Sequence, residues 1–82
     1  MKKYQYSSPA IIERKDGNKW IVCHVVIGCD KVLVLSEAIT WIAYNAVGRI
    51  VESRNVWRNG SMVRYYKTTN TEGGFDFRVR FE

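Results

Sequence analysis

Apolar and polar residues alternate along this chain in short runs that are typical of β-strands arranged around one helix. Residues 10–15 and 19–27 flank an Asp-Gly pair, which favours a tight β-hairpin because the turn needs residues that tolerate positive φ. The run 20–27 is almost entirely apolar, which predicts a strand covered on both faces. After a turn at 28–30, residues 31–35 read as a third strand.

Helical periodicity is found in one segment. Apolar residues recur at helical spacing over residues 37–51, which predicts a helix of about 22 Å at 1.5 Å per residue. Ser36 is the expected N-cap, and Glu37 would then lie at the positive end of the helix dipole. Gly48 falls inside this helix at a cost of up to about 1 kcal/mol against alanine, so we expect close contact between Gly48 and the sheet.

A second hairpin is predicted around Asn59-Gly60, a favoured two-residue turn. The turn sets the strand register, with these opposite pairs: Arg58 and Ser61, Trp57 and Met62, Val56 and Val63, Asn55 and Arg64, Arg54 and Tyr65. Whichever face of this hairpin is buried, the other face exposes arginine beside at least one aromatic ring. We expect the Trp57–Met62 face to be buried, because a tryptophan hides more apolar area than two valines offset.

The C-terminal residues 75–82 alternate strictly, with three phenylalanines and Val79 facing in and two acids, Arg78 and Arg80 facing out. Together these elements predict an α+β fold in one domain, residues 1–82. The fold is an antiparallel β-sheet of about five to six strands with a single helix packed across one face, in ββ-β-α-ββ-β order. One helix cannot cover both faces of such a sheet. A homodimer would bury the surplus apolar surface, and a monomer is the alternative.

Composition narrows the class of protein. No apolar run approaches the roughly 20 residues that span a bilayer, and the first six residues lack the apolar region of a secretory signal. We therefore expect a cytoplasmic protein with no membrane partner. The two cysteines, Cys23 and Cys29, are interpreted as reduced apolar residues, although a disulfide between them is conceivable.

Catalytic chemistry is not indicated. The one histidine, His24, lies within an apolar strand, where a structural role is expected. Cys23, His24 and Cys29 are a poor metal-ligand set, since adjacent residues of a strand point to opposite faces. The sequence has no phosphate-binding glycine loop, no nucleophile elbow and no convincing carboxylate pair. We expect no enzyme activity, no metal and no cofactor.

Charge is what points to a partner. The formal net charge is +5 at a pI near 9.5, and residues 49–67 carry five basic residues against one acid. Arginine suits bidentate phosphate contacts, and bases stack on aromatic rings. The predicted nucleic-acid-binding residues are Arg54, Arg58, Arg64, Lys67, Arg78, Arg80, Trp57, Tyr65 and Tyr66.

The sequence therefore predicts a small basic binding protein whose partner is RNA or single-stranded DNA. It departs from the double-stranded RNA-binding domain, which needs a second helix, and from the RNA-recognition motif, whose aromatic signature is absent. The alternative is a protein-interaction module that docks on an acidic surface. Bacteriophage inhibitors of host enzymes or defence factors are similar in size and class.

Overall fold

The computed structural model of this chain describes residues 9–28, 30–46, 48–58, 60–69 and 74–81. This part of the chain forms five strands and one helix: β1 (Ala10–Asp16), β2 (Lys19–Val26), α1 (Lys31–Asn45), β3 (Ile50–Arg58), β4 (Ser61–Thr68) and β5 (Phe77–Phe81). The strands build one antiparallel sheet in the order β2-β1-β5-β4-β3. The helix packs across one face, against β1 and β2. The predicted fold class is confirmed.

Both hairpins form around two-residue turns. In the first, Asp16 lies opposite Lys19 and Gly17 adopts φ 65°. In the second, Arg58 lies opposite Ser61 and Gly60 adopts φ 79°. Left-handed φ values of this kind suit glycine, which has no Cβ to clash with the backbone. All five strand pairs predicted for the second hairpin are present, so its register is confirmed.

The helix begins earlier and ends earlier than the periodicity suggested. Asp30 is the N-cap: its Oδ1 accepts hydrogen bonds from the amides of Val32 at 2.8 Å and Leu33 at 3.4 Å. The predicted third strand at 31–35 is therefore wrong, as is Ser36 as N-cap, and the element order is ββ-α-ββ-β. The apolar run at 31–35 suits either a strand or a buried helix, and the cap at Asp30 favours the helix.

The segment between the helix and β3 explains why a glycine occupies position 48. The helix ends at Asn45, and Gly48 lies beyond it with φ 105°. The prediction that the helix continues to residue 51 is wrong, and the glycine serves a backbone turn before β3 rather than helix packing on the sheet.

The hydrophobic core lies between α1 and the inner strands. The helix contributes residues at four-residue spacing, and β1, β2, β4 and β5 contribute the opposing layer: Val34, Ala38 and Ile42; Ala10 and Ile12; Val26; Tyr66; Phe77 and Val79. Ile12 and Val79 are directly opposite each other, and both are fully buried. The centre of the molecule is therefore where the first and last strands of the sequence meet.

Strand β2 is not covered on both faces, so that prediction is wrong. It is an edge strand among the described residues, and Val26 is its one buried residue. Position in the sheet explains this, because β5 takes the inner place beside β1 and leaves β2 outside. A register shift in the β1–β2 pair sets His24 opposite Ile12 and Val22 opposite Glu13, so Cys23 is the extra residue of a bulge.

Candidate functional site

The sheet face turned away from α1 is called the open face. Directly opposite residues in neighbouring strands share a face, so the register defines its members. They are Trp20, Val22 and Val25 of β2; Ile11, Glu13 and Lys15 of β1; Arg78 and Arg80 of β5; Ser61, Val63, Tyr65 and Lys67 of β4; and Glu52, Arg54 and Val56 of β3.

Three aromatic rings form a connected line on the open face, which we call the aromatic stripe: Trp20, Tyr65 and Phe75. The ring centroids of Trp20 and Tyr65 are 5.7 Å apart at an interplanar angle of 71°. Those of Tyr65 and Phe75 are 6.0 Å apart at 56°. All three side chains are partly exposed. The stripe thus offers ring surface to a ligand arriving from solvent.

Cations lie over both ends of the aromatic stripe. The guanidinium carbon of Arg78 is 4.6 Å from the centroid of the Trp20 ring, and the Lys15 ammonium is 5.3 Å from it. At the other end, the guanidinium carbon of Arg54 is 5.4 Å from the Phe75 centroid. These distances are within the roughly 6 Å range of cation–π attraction. Positive charge is therefore held beside ring surface at both ends.

One buried carboxylate organises the centre of the open face. Glu13 is 5% exposed and pairs with two guanidinium groups. Its Oε1 accepts from Nε of Arg78, and its Oε2 lies 3.2 Å from Nε of Arg80. A buried charge needs such partners, so the glutamate orients both arginines. It also offsets one of their two charges.

A shallow pocket of about 230 Å³ opens at the Phe75 end of the aromatic stripe, lined by Arg54, Val56, Tyr65 and Phe75. Sites for drug-sized ligands run from about 300 to 1,000 Å³, so this one suits a group no larger than a single base or amino-acid side chain. Its lining is apolar and aromatic with one guanidinium. That combination suits a flat group with hydrogen-bond acceptors.

Phe75 reaches this pocket against expectation, because strict alternation had placed it in the core with the other two phenylalanines. Residue Asp76 accounts for the change. Its carboxylate accepts hydrogen bonds from the Thr68 amide at 3.1 Å and from the Thr68 hydroxyl at 2.6 Å, so it does not face solvent as predicted. The regular strand starts only at Phe77.

The predicted site residues divide between the two faces of the sheet. Those on the open face are Arg54, Tyr65, Lys67, Arg78 and Arg80; those on the helix side are Trp57, Arg64 and Tyr66. Arg58 lies in β3, and its side chain is outside the described part of the structure. The structure thus brings five of the nine to one surface.

Burial of the Trp57–Met62 pair is a wrong prediction. Both residues lie on the helix side, but Trp57 is 71% exposed because α1 packs over β1 and β2 and does not reach this end of the second hairpin. The residue buried there is Tyr66, at 2% exposure, so its ring cannot stack on a base. Arg64 donates from Nε to Asn55 Oδ1 at 2.6 Å.

The pKa of the Tyr66 hydroxyl is raised above its ordinary 10.0 by burial, and the nearby Arg64 guanidinium acts in the opposite direction. Burial is the larger effect, since removing a phenolate from water is costly. The neutral phenol is therefore part of the core.

Sequence reasoning missed Lys15, Trp20 and Phe75. The first two lie opposite each other beside the first turn. Applying the two-residue register to Gly17-Asn18, as was done for the second turn, would have paired them. Phe75 had no such signal, because its direction depends on the contact between Asp76 and Thr68.

Other chemistry has little support in the part of the chain that the structure describes. Over those residues, no group of three or more His, Cys, Asp and Glu side chains is arranged to hold a metal ion. His24 stacks on Trp41 of the helix, with centroids 4.9 Å apart and planes within 5° of parallel. Within the same residues, no helix has the length and apolar character that crossing a membrane requires.

No protein-family model, curated protein or solved structure significantly matches this chain.

Proposed function

We propose that this protein binds single-stranded nucleic acid, RNA or DNA, on the open face of its sheet. The observation that carries the proposal is the aromatic stripe of Trp20, Tyr65 and Phe75, with a cation over each end. Surfaces that bind single strands combine rings for the bases with positive charge for the backbone.

The energies favour replacing a cation by a base on these rings. A cation–π contact at an exposed site is worth about 0.5–1 kcal/mol, whereas a stacked base contributes about 1–3 kcal/mol. A base that displaces Arg54 from the Phe75 ring, or Arg78 from Trp20, therefore improves the contact. The displaced guanidinium remains close by, where it can meet a phosphate.

The charge balance of the open face supports contact with a polyanion. Among the described residues it carries five cations, Lys15, Arg54, Lys67, Arg78 and Arg80, against the carboxylates Glu13 and Glu52. Glu13 offsets part of the charge of Arg78 and Arg80. We expect neutralisation of about three phosphates, which for a single strand gives a slope of about −2 in log K against log salt.

The pocket beside Phe75 is the proposed seat of one base. Tyr65 and Phe75 are too close and too inclined to sandwich a base, so the base stacks on one ring and abuts the other. Arg54 at the rim offers a planar fork of donors to a phosphate or to base acceptors.

Fluorescence anisotropy tests the proposal with labelled single strands of about 12 nucleotides, a length within the range that such folds bind. RNA and DNA of mixed sequence are titrated at about 50 mM and 200 mM salt. We expect binding at low salt and a loss of roughly 16-fold in affinity at the higher salt, as the slope above requires. Absence of binding to both strands at low salt would overturn the proposal.

Matched variants of the second hairpin locate the site, because each of its faces offers a partly or fully exposed ring and an arginine for substitution. Tyr65→Leu should weaken binding about fivefold or more through lost stacking, while Trp57→Leu on the helix side should leave it unchanged. Arg54→Gln should lower the salt slope by about 0.7, while Arg64→Gln should not. The reverse pattern would mean that the protein binds nucleic acid on the helix side, and it would refute the open face as the binding site.

A second candidate is contact with another protein. Exposed apolar residues cluster in sequence where β2 leads into the helix: Ile27, Val32 and Leu33 are 72%, 74% and 67% exposed. With a net charge of +5, these residues suit an acidic partner surface, such as that of a host enzyme or defence factor met by a phage-type inhibitor. Either function would be exercised in the cytoplasm.

Affinity capture separates this second candidate from the first. A protein partner should remain bound after nuclease treatment and a high-salt wash, and charge substitution at Leu33 should release it. Recovery of nucleic acid alone would count against the candidate.

A further inference from the structure

The sheet has two edges, β2 and β3, and they differ in how they meet solvent. Each pairs with one neighbour among the described strands, β2 with β1 and β3 with β4. The outer side of an edge strand presents unpaired backbone donors and acceptors, which can accept a further strand. Proteins normally protect such edges with charges, proline or bulges.

Strand β3 is protected by charge and β2 is not. β3 carries Glu52, Arg54 and Arg58. β2 has the sequence KWIVCHVV, with one lysine at its first position and no acid, arginine or proline. Three of its apolar residues are substantially exposed: Ile21 at 40%, Val22 at 50% and Val25 at 42%. Its bulge lies at Cys23, on the side paired with β1.

We infer that β2 pairs antiparallel with β2 of a second copy of this chain, joining two sheets into one sheet of about ten strands. An interface of this kind is isologous, since each copy contributes the same strand to a two-fold axis. A second copy fits better than a charged partner because β2 offers backbone and apolar side chains but almost no charge.

The charge distribution allows two basic chains to meet here. In an antiparallel β2 pair, the two Lys19 residues lie at opposite ends of the interface. Seven steps of about 3.4 Å separate them by about 24 Å. This is well beyond the screening length of about 8 Å at physiological salt, so their repulsion is small.

The bulge also makes the two faces match. It places Trp20 and Val25 on the open face and Ile21 and His24 on the helix side. A register that sets Trp20 opposite Val25 of the second copy sets Ile21 opposite His24 of that copy, so like faces join on both sides. Both open faces then lie on one side of the joined sheet, with both helices on the other.

A pair of lysine variants tests the inference, because each edge carries one valine of similar exposure. Val22 in β2 is 50% exposed and Val51 in β3 is 54% exposed. Nuclease-treated protein is examined by sedimentation equilibrium over a concentration series. We expect a two-chain species for the parent and for Val51→Lys, and at least a tenfold weaker dimer for Val22→Lys.

Salt separates this contact from nucleic-acid bridging. Salt screens the repulsion between two chains of charge +5, so the dimer should hold or tighten as salt rises, whereas nucleic-acid binding weakens. A monomer at about 1 mM protein in high salt, or a dimer disrupted by Val51→Lys and not by Val22→Lys, would overturn the inference.

Cys23 provides a second readout that does not depend on a destabilising change. It is exposed and lies in the middle of β2, so two copies bring their Cys23 residues close to the two-fold axis. In a Cys29→Ser background, a short bifunctional thiol reagent should join two chains through Cys23. Crosslinking is run at mildly alkaline pH, because the Sγ atom of this otherwise exposed residue is partly buried, and its desolvation raises the pKa of the thiol above its usual 9.0. No crosslinked dimer, or crosslinking undiminished by Val22→Lys, would contradict the β2 interface.

Discussion

The two hairpins of this molecule have the same architecture and opposite surroundings. Each has a two-residue turn with one glycine at positive φ, and each joins β5 through its inner strand, β1 or β4. The first hairpin lies under the helix and ends in an apolar edge. The second extends beyond the helix and ends in a charged edge, with Trp57 71% exposed.

This difference shows that the position of a strand in the sheet determines its burial more than its apolar character does. β2 is the most continuous apolar strand, yet Val26 is its one buried residue. Tyr66 lies in a strand with Arg64 and Lys67, yet it is 2% exposed because it is opposite Phe77 in the centre of the sheet. The second hairpin therefore leaves Arg54 and part of Tyr65 exposed on the open face, whereas the first leaves an apolar edge strand.

The largest expected effect concerns the unequal strands of the first hairpin. Ile12→Ala in β1 should lower the free energy of unfolding by about 2–5 kcal/mol, because it opens a cavity at a fully buried site. Ile21→Ala in β2, where the side chain is 40% exposed, should cost less than half as much. Urea denaturation of both variants measures the difference, and equal losses would show that β2 is as buried as β1.

A smaller effect should be shared by the two turns. Gly17→Ala and Gly60→Ala should each cost about 1–2 kcal/mol, the penalty for an L-residue at left-handed φ. A Cβ at either position would meet nothing within 4 Å, so backbone strain is the whole cause. Thermal unfolding should show similar losses in the two hairpins. A neutral result at one turn would mean that the hairpins differ in their turns as well as in their edges.

The smallest expected effect is on the pH dependence of stability, which should differ between a buried and an exposed tyrosine. The raised pKa of Tyr66 means that the folded state holds the phenolic proton more tightly than the unfolded state. Stability should therefore fall as pH rises above 10.0, by at most about 1.4 kcal/mol per pH unit for one proton. Tyr66→Phe should reduce this slope, measured by denaturant unfolding between about pH 9 and 11. Tyr44→Phe, at a site 84% exposed, is the control that should leave it unchanged.

The candidate site was partly predictable from sequence. Local turn chemistry correctly placed Arg54 and Tyr65 on one face and Trp57 and Arg64 on the other. Pairing of Arg78 and Arg80 with Glu13 joins residues 65 or more positions apart in the chain, and no local pattern reports such a contact. The same limit applies to Trp20. Its ring contacts the Tyr65 ring across the two strands, β1 and β5, that lie between β2 and β4, and only the strand order of the assembled sheet creates this contact.

The sequence by itself determined the α+β class, both hairpins and the register of the second, because glycine turns and period-two alternation act over a few neighbouring residues. The tertiary structure alone decided which strand became an edge and which hairpin face the helix covered. Insertion of β5 between β1 and β4 set both outcomes, since it moved β2 outward and left the second hairpin beyond the helix. The rings and cations that the sequence placed on one hairpin thus belong to a surface built by all five strands and the Phe75 segment.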